Sequence, residues 1–95
     1  MSKKFFGKYR GVVVNNADPL QIGRIQAQVP GVDVPVGWAM PCVPCDLPKK
    51  VGNALPAIGA NVWIDFEAGD PGYPVWTGCW FSASADTPPA LRRAG

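Results

Sequence analysis

Asn61-Val62-Trp63-Ile64-Asp65-Phe66-Glu67-Ala68-Gly69-Asp70-Pro71-Gly72-Tyr73-Pro74-Val75-Trp76-Thr77-Gly78-Cys79-Trp80 is the stretch that decides the fold. In residues 61–67, Val62, Ile64 and Phe66 alternate with Trp63, Asp65 and Glu67, the two-residue period of a half-buried strand. Gly69, Asp70 and Pro71 then supply a turn. Gly adopts a positive dihedral freely, Pro fixes its own, and the Asp carboxylate can bond nearby backbone. Residues 75–81 resume the alternation, with Val75, Thr77 and Cys79 opposite Trp76, Gly78 and Trp80. Two strands about a tight turn read as an antiparallel hairpin.

Working outward, residues 9–15 form another strand, since Tyr9, Val12, Val13 and Val14 favour extended backbone. Asn15-Asn16-Ala17-Asp18-Pro19 follows as a turn, with Asp18 and Pro19 its strongest signal. Residues 22–29 make the next strand: Ile25, Ala27 and Val29 face one way, Arg24, Gln26 and Gln28 the other. Residues 38–43 are extended but broken by Pro41, which suits an edge. Residues 44–60, with Lys49 and Lys50, read as a long surface loop of the length that usually carries function. Residues 1–8 are a basic, partly ordered lead-in. Residues 82–95 are small, polar and Pro-containing, a flexible or docking tail with room for one helical turn near 90–93.

The chain has 95 residues, enough for one small domain. Gly and Pro number 11 each, which excludes a helical bundle. No apolar run approaches the roughly 18 residues of a membrane span, and the first ten residues lack the apolar core of a signal peptide. The expected architecture is therefore all-β: a small five-stranded closed barrel over residues 9–81, with a long middle loop and flexible termini. Closure would remove the exposed sheet edges. The OB-fold is a barrel of this kind.

Signals for chemistry are sparse. The chain has no His, no phosphate-binding Gly-rich loop and no Gly-x-Ser-x-Gly. Cys42 and Cys45 form a CxxC and Cys79 stands alone. Three thiols without His do not complete the usual four-ligand zinc set, and Pro41 and Pro44 prevent the helix start that a redox CxxC requires. Packed free thiols are the expectation, with no metal and no cofactor; a disulfide, or a thiol or metal module on Cys42 and Cys45, is the alternative. Asp65 and Glu67 share a strand face, as an acid pair would, but they better suit the solvent side of an amphipathic strand. No enzymatic activity and no small-molecule substrate are expected.

The aromatics say more. Trp63, Trp76 and Trp80, with Tyr73 at the rim, are the expected interface residues, and Lys49 and Lys50 in the long loop join them. Asp18, Pro19, Gly23, Gly69, Asp70, Pro71 and Gly78 are the expected structural turns and bends. Exposed Trp on a small barrel can stack single-stranded bases or meet another protein. The central strands carry Arg24 as their one cation against Asp65 and Glu67, and net charge is only +2. Protein contact is thus favoured over an OB-fold binder of single-stranded nucleic acid or oligosaccharide, which is the alternative function.

Two segments go beyond pattern. Residues 9–31 run as a valine-rich strand, an Asp18-Pro19 turn, Gly23-Arg24 and an alternating strand ending in Pro30-Gly31. Residues 58–80 run as Gly59-x-x-Val62, an acidic-aromatic strand, Gly69-Asp70-Pro71 and Pro74-x-x-x-Gly78; Trp38-Ala39-Met40-Pro41 fits a middle strand. In this order they resemble the OB-fold domain of phage tail-spike and baseplate assembly proteins and of type VI secretion valine-glycine-repeat spikes. The resemblance implies a homotrimeric part of the central spike or hub of a phage or phage-like contractile tail. Its partners would be hub, spike and tail tube proteins, and its place the baseplate or injection particle. Members commonly continue into a lysozyme domain or a β-helical needle. The sequence ends at Gly95, so the expectation is the barrel alone, an adaptor that inserts in no membrane.

Overall fold

The computed structural model describes residues 3–47 and 55–94. Five strands form: β1 (Tyr9–Asn15), β2 (Gln26–Gln28), β3 (Met40–Pro41), β4 (Asn61–Phe66) and β5 (Pro74–Cys79). They make one curled sheet in the order β2-β1-β4-β5-β3. All neighbours are antiparallel except β3 and β5, which run parallel.

The alternation in β4 holds. Val62 and Ile64 are fully buried and Phe66 nearly so, and they meet Val13 of β1 and Ile25 in a single core. Each aliphatic side chain buried this way contributes about 1.5–3 kcal/mol. Ile25, Ala27 and Val29 face this core as their spacing implies, with Ala27 only half-buried.

The expected closed barrel is corrected to a half-barrel. Among the described residues, pairing between the β2 side and the β3 side consists of one isolated bridge, in which Ile25 N–H donates to Ala39 O (3.1 Å) and Ala39 N–H to Ile25 O (2.7 Å). Pro41 and the Pro-rich chain after it leave no ladder to extend that bridge.

The β4–β5 pairing slips. Val62 faces Cys79, but Ile64 faces Trp76, so two steps on β4 oppose three on β5. This is a bulge, and Gly78 occupies it with φ +128°, a dihedral that L side chains rarely adopt. The slip reverses the alternation within β5. Trp76 turns inward and is 6% exposed, while Trp80 turns outward beside Trp63. Trp76 is thus a core residue rather than the exposed aromatic its spacing implies, and its Nε1–H donates to Gly23 O at 2.9 Å.

The lead-in also differs from expectation. Phe5 is buried against Tyr9 and Phe66, with ring centroids 6.0 Å away in each case, and its N–H donates to Gly69 O at 2.8 Å. Phe5 thus joins the hydrophobic core ahead of β1. After β5, the chain makes a 3-10 turn (Ser84–Asp86) and a short helix, α1 (Pro89–Arg92), both exposed. Among the described residues, no helix is long and apolar enough to cross a membrane.

Candidate functional site

The turns come first, because they position everything else. Asp18 and Pro19 open the β1–β2 connection. The Asp18 carboxylate accepts hydrogen bonds from the N–H groups of Leu20 (2.9 Å), Ile22 (3.0 Å) and Arg24 (3.1 Å). It also takes Arg24 Nε (3.0 Å) and an Arg24 terminal nitrogen (2.7 Å). The Arg24 guanidinium holds this carboxyl far below the usual carboxylate range; the three N–H bonds add to that, against the opposing effect of burial. Asp18 in turn raises the Arg24 pKa. The guanidinium stacks 5.2 Å over the Trp38 ring, so one ion pair ties the loop to the chain leading into β3. Arg24 is therefore not the free strand cation its spacing suggested.

Gly69, Asp70 and Pro71 form the β4–β5 turn. Gly69 has φ +77° and lies under the Phe6 ring, where a Cβ would come within 2.8 Å of a ring carbon. Asp70 Oδ1 accepts from Gly72 N–H at 2.9 Å. Gly23 has φ +85° and faces Pro41.

The outer face of the sheet carries an aromatic cluster. Arg10 of β1 lies directly opposite Trp63 of β4. Its guanidinium is 4.4 Å from the Trp80 ring centroid and 5.6 Å from that of Trp63, and the two rings are 6.0 Å apart at 42°. Trp80 Nε1–H donates to Val62 O at 3.2 Å. Both Trp are half-buried. Arg10 is the residue that sequence reading missed: it stands within the strand expected over residues 9–15, but only the β1–β4 register sets it opposite Trp63. Nearby, Lys8 Nζ pairs with Asp65 at 2.9 Å, so Asp65 serves an exposed ion pair and Glu67 lies apart in the turn. Tyr73 is exposed in the same turn, whereas Lys49 and Lys50 fall outside the described residues.

Strand directions sort the surface into two ends. One end holds the starts of β1, β3 and β5 and the ends of β2 and β4; Phe6 and Tyr73 sit there with Lys3, which pairs with Asp33 at 2.9 Å. That ion pair lowers the Asp33 pKa. The opposite end holds the loops after β1, β3 and β5 and before β4. It exposes Leu20, Ile22, Val43, Leu47 and Ile58. A groove of about 300 Å³ opens there between Ile22, Pro41, Val43, Leu47 and Leu55, floored by Trp76.

Cys42, Cys45 and Cys79 are free thiols, and all three are exposed at the surface rather than packed as expected. Partial burial pushes the Cys79 thiol pKa up, which disfavours the reactive thiolate. Among the described residues, no group of three metal-ligating side chains converges. What the surface offers is apolar and aromatic area on a stiff scaffold, suited to packing against protein.

No curated protein matches the chain. A family profile does match, covering residues 9–81, from the first residue of β1 to just past the outward-turned Trp80. The matched span contains the Asp18 knot, the β4–β5 turn and the Gly78 bulge, and on that basis the chain belongs to the type VI secretion system/phage-baseplate injector OB domain family.

Proposed function

We propose that this protein is a non-enzymatic adaptor in the central spike or hub of a phage or phage-like contractile tail baseplate, acting as a homotrimer by rigid packing. Membership of the injector OB domain family carries the reading: it supports a structural baseplate role made by protein contact, within a tail baseplate or injection particle. The surface is consistent with that role. Trp63, Trp80 and Tyr73 supply aromatic area of the kind that anchors interfaces, and the Asp18–Arg24 knot stiffens the loop beside the apolar end. Lys49 and Lys50 remain proposed contacts in the middle loop.

The test is co-expression with the tube and hub proteins of the same tail, followed by affinity purification. The adaptor reading expects a stoichiometric complex, weakened at least tenfold by Trp63→Ala combined with Trp80→Ala. A folded chain that co-purifies with no tail protein would sink it.

A further inference from the structure

Residues 82–94 form an exposed arm beyond the half-barrel, with Asp86 near Gly59, Ala60 and Asn61 at its base. All residues of the arm are exposed except Thr87, which is half-buried. The arm is nonetheless shaped by bonds within itself. Thr87 N–H donates to Ser84 O (3.1 Å), Thr87 Oγ1 to Ala83 O (2.8 Å), and Leu91 N–H to Pro88 O (2.9 Å). Pro88 and Pro89 restrict it further, so docking it costs less conformational entropy than docking a free tail. Its tip presents Leu91, 69% exposed, followed by Arg92 and Arg93, which have no ion-pair partner among the described residues.

The groove at the apolar end has the opposite character. It is lined by aliphatic side chains, and its volume of about 300 Å³ admits a leucine side chain with room beside it. Asp46, exposed and adjacent in sequence to the groove residue Leu47, forms no ion pair among the described residues. The arm leaves the barrel at this same end, because β5 finishes where the β1 and β3 loops begin.

We infer that the arm of one copy seats Leu91 in the groove of a second copy, with Arg92 and Arg93 facing its Asp46. Apolar fit and charge sign match, and both halves of the contact lie on this chain. A contact between different patches of identical subunits closes into a ring when the rotation allows. The inference rests on the proposed assembly of copies and names the surface that makes it.

Two native thiols permit a direct test, since Cys42 and Cys45 flank Val43 of the groove. Full-length protein carrying Leu91→Cys and Cys79→Ser is oxidised with copper-phenanthroline and run on a non-reducing gel. The arm contact predicts disulfide-linked multimers, lost when Cys42→Ser and Cys45→Ser are added. Chains that stay single would overturn the inference, whether peptide mapping finds residue 91 joined to Cys42 or Cys45 of the same chain, which would place the arm on its own groove, or only Cys42 joined to Cys45. In parallel, Leu91→Asp is weighed by light scattering. The expected result is a fall from the oligomer's mass to that of one chain, with an unchanged circular dichroism spectrum and melting curve. An oligomer that survives Leu91→Asp overturns the arm contact and leaves the assembly reading standing. A wild-type chain that is monomeric at every concentration overturns both.

Discussion

Replacing Trp76 by Ala should damage the isolated fold more than any assembly step. The side chain is 6% exposed, floors the apolar groove and donates its indole N–H to Gly23 O at 2.9 Å. Truncating a buried Trp to Ala costs about 3–5 kcal/mol. A domain of this size holds only about 5–14 kcal/mol in all. At about 4–8 °C per kcal/mol, melting should fall by roughly 12 °C or more. Trp76→Phe keeps an aromatic ring but removes the indole N–H, leaving Gly23 O without its donor at about 1–3 kcal/mol, and the smaller ring adds a partial cavity. Trp63→Ala is the control: that ring is half-buried on the outer face, and its loss should cost on the order of 1–2 kcal/mol. Thermal and urea denaturation followed by far-ultraviolet circular dichroism reads all three. The expected order of damage is Trp76→Ala, then Trp76→Phe, then Trp63→Ala close behind. A Trp76→Ala protein melting within a few degrees of wild type, with Trp63→Ala the worse of the two, would refute the inward placement and the bulge that causes it.

Three further outcomes follow from the same geometry. Gly69→Ala must adopt φ near +77° and displace the Phe6 ring, so it should lose about 1–2 kcal/mol in urea unfolding, partly recovered by a second change, Phe6→Ala. Asp18 has a folded pKa depressed below its unfolded value, so its contribution is present above about pH 4 and is lost as pH falls through the folded value. Asp18→Asn should therefore be less stable at neutral pH yet show a shallower loss than wild type on acidification below about pH 4; parallel acid profiles would count against the knot. Because burial raises the Cys79 pKa, alkylation by iodoacetamide near neutral pH should modify Cys79 more slowly than Cys42 or Cys45, as mass mapping of the peptides would show.

Much of the scaffold was legible in the residues. The bounds of β1 follow from its run of strand-forming residues, and the burial pattern of β4 from alternation, because one face of it lies on the core. Asp18-Pro19 and Gly69-Asp70-Pro71 announce turns through dihedral and hydrogen-bonding preferences that need no tertiary context. The failures have tertiary causes. Counting alternation straight through β5 puts Trp76 and Trp80 on one face; the extra residue at Gly78 separates them, and a glycine in a strand marks a bulge without fixing its register. Phe5 sits in a basic run with no periodicity, and only the Gly69 carbonyl and the Tyr9 and Phe66 rings give it a place. The shape of the sheet depended on whether the Ile25–Ala39 contact grows into a ladder, which no local preference encodes. The apolar end, formed from loops far apart in sequence, becomes visible only once strand directions are known.

The central claim, a protein that assembles with copies of itself and ignores nucleic acid, meets its most direct test in the mass of the purified chain. That mass is best measured by light scattering on a sizing column, with and without a single-stranded oligonucleotide. The account predicts a stable particle of three chains whose mass the oligonucleotide leaves unchanged. A single chain that gains mass on adding the oligonucleotide, with an affinity that falls as salt rises, would contradict it.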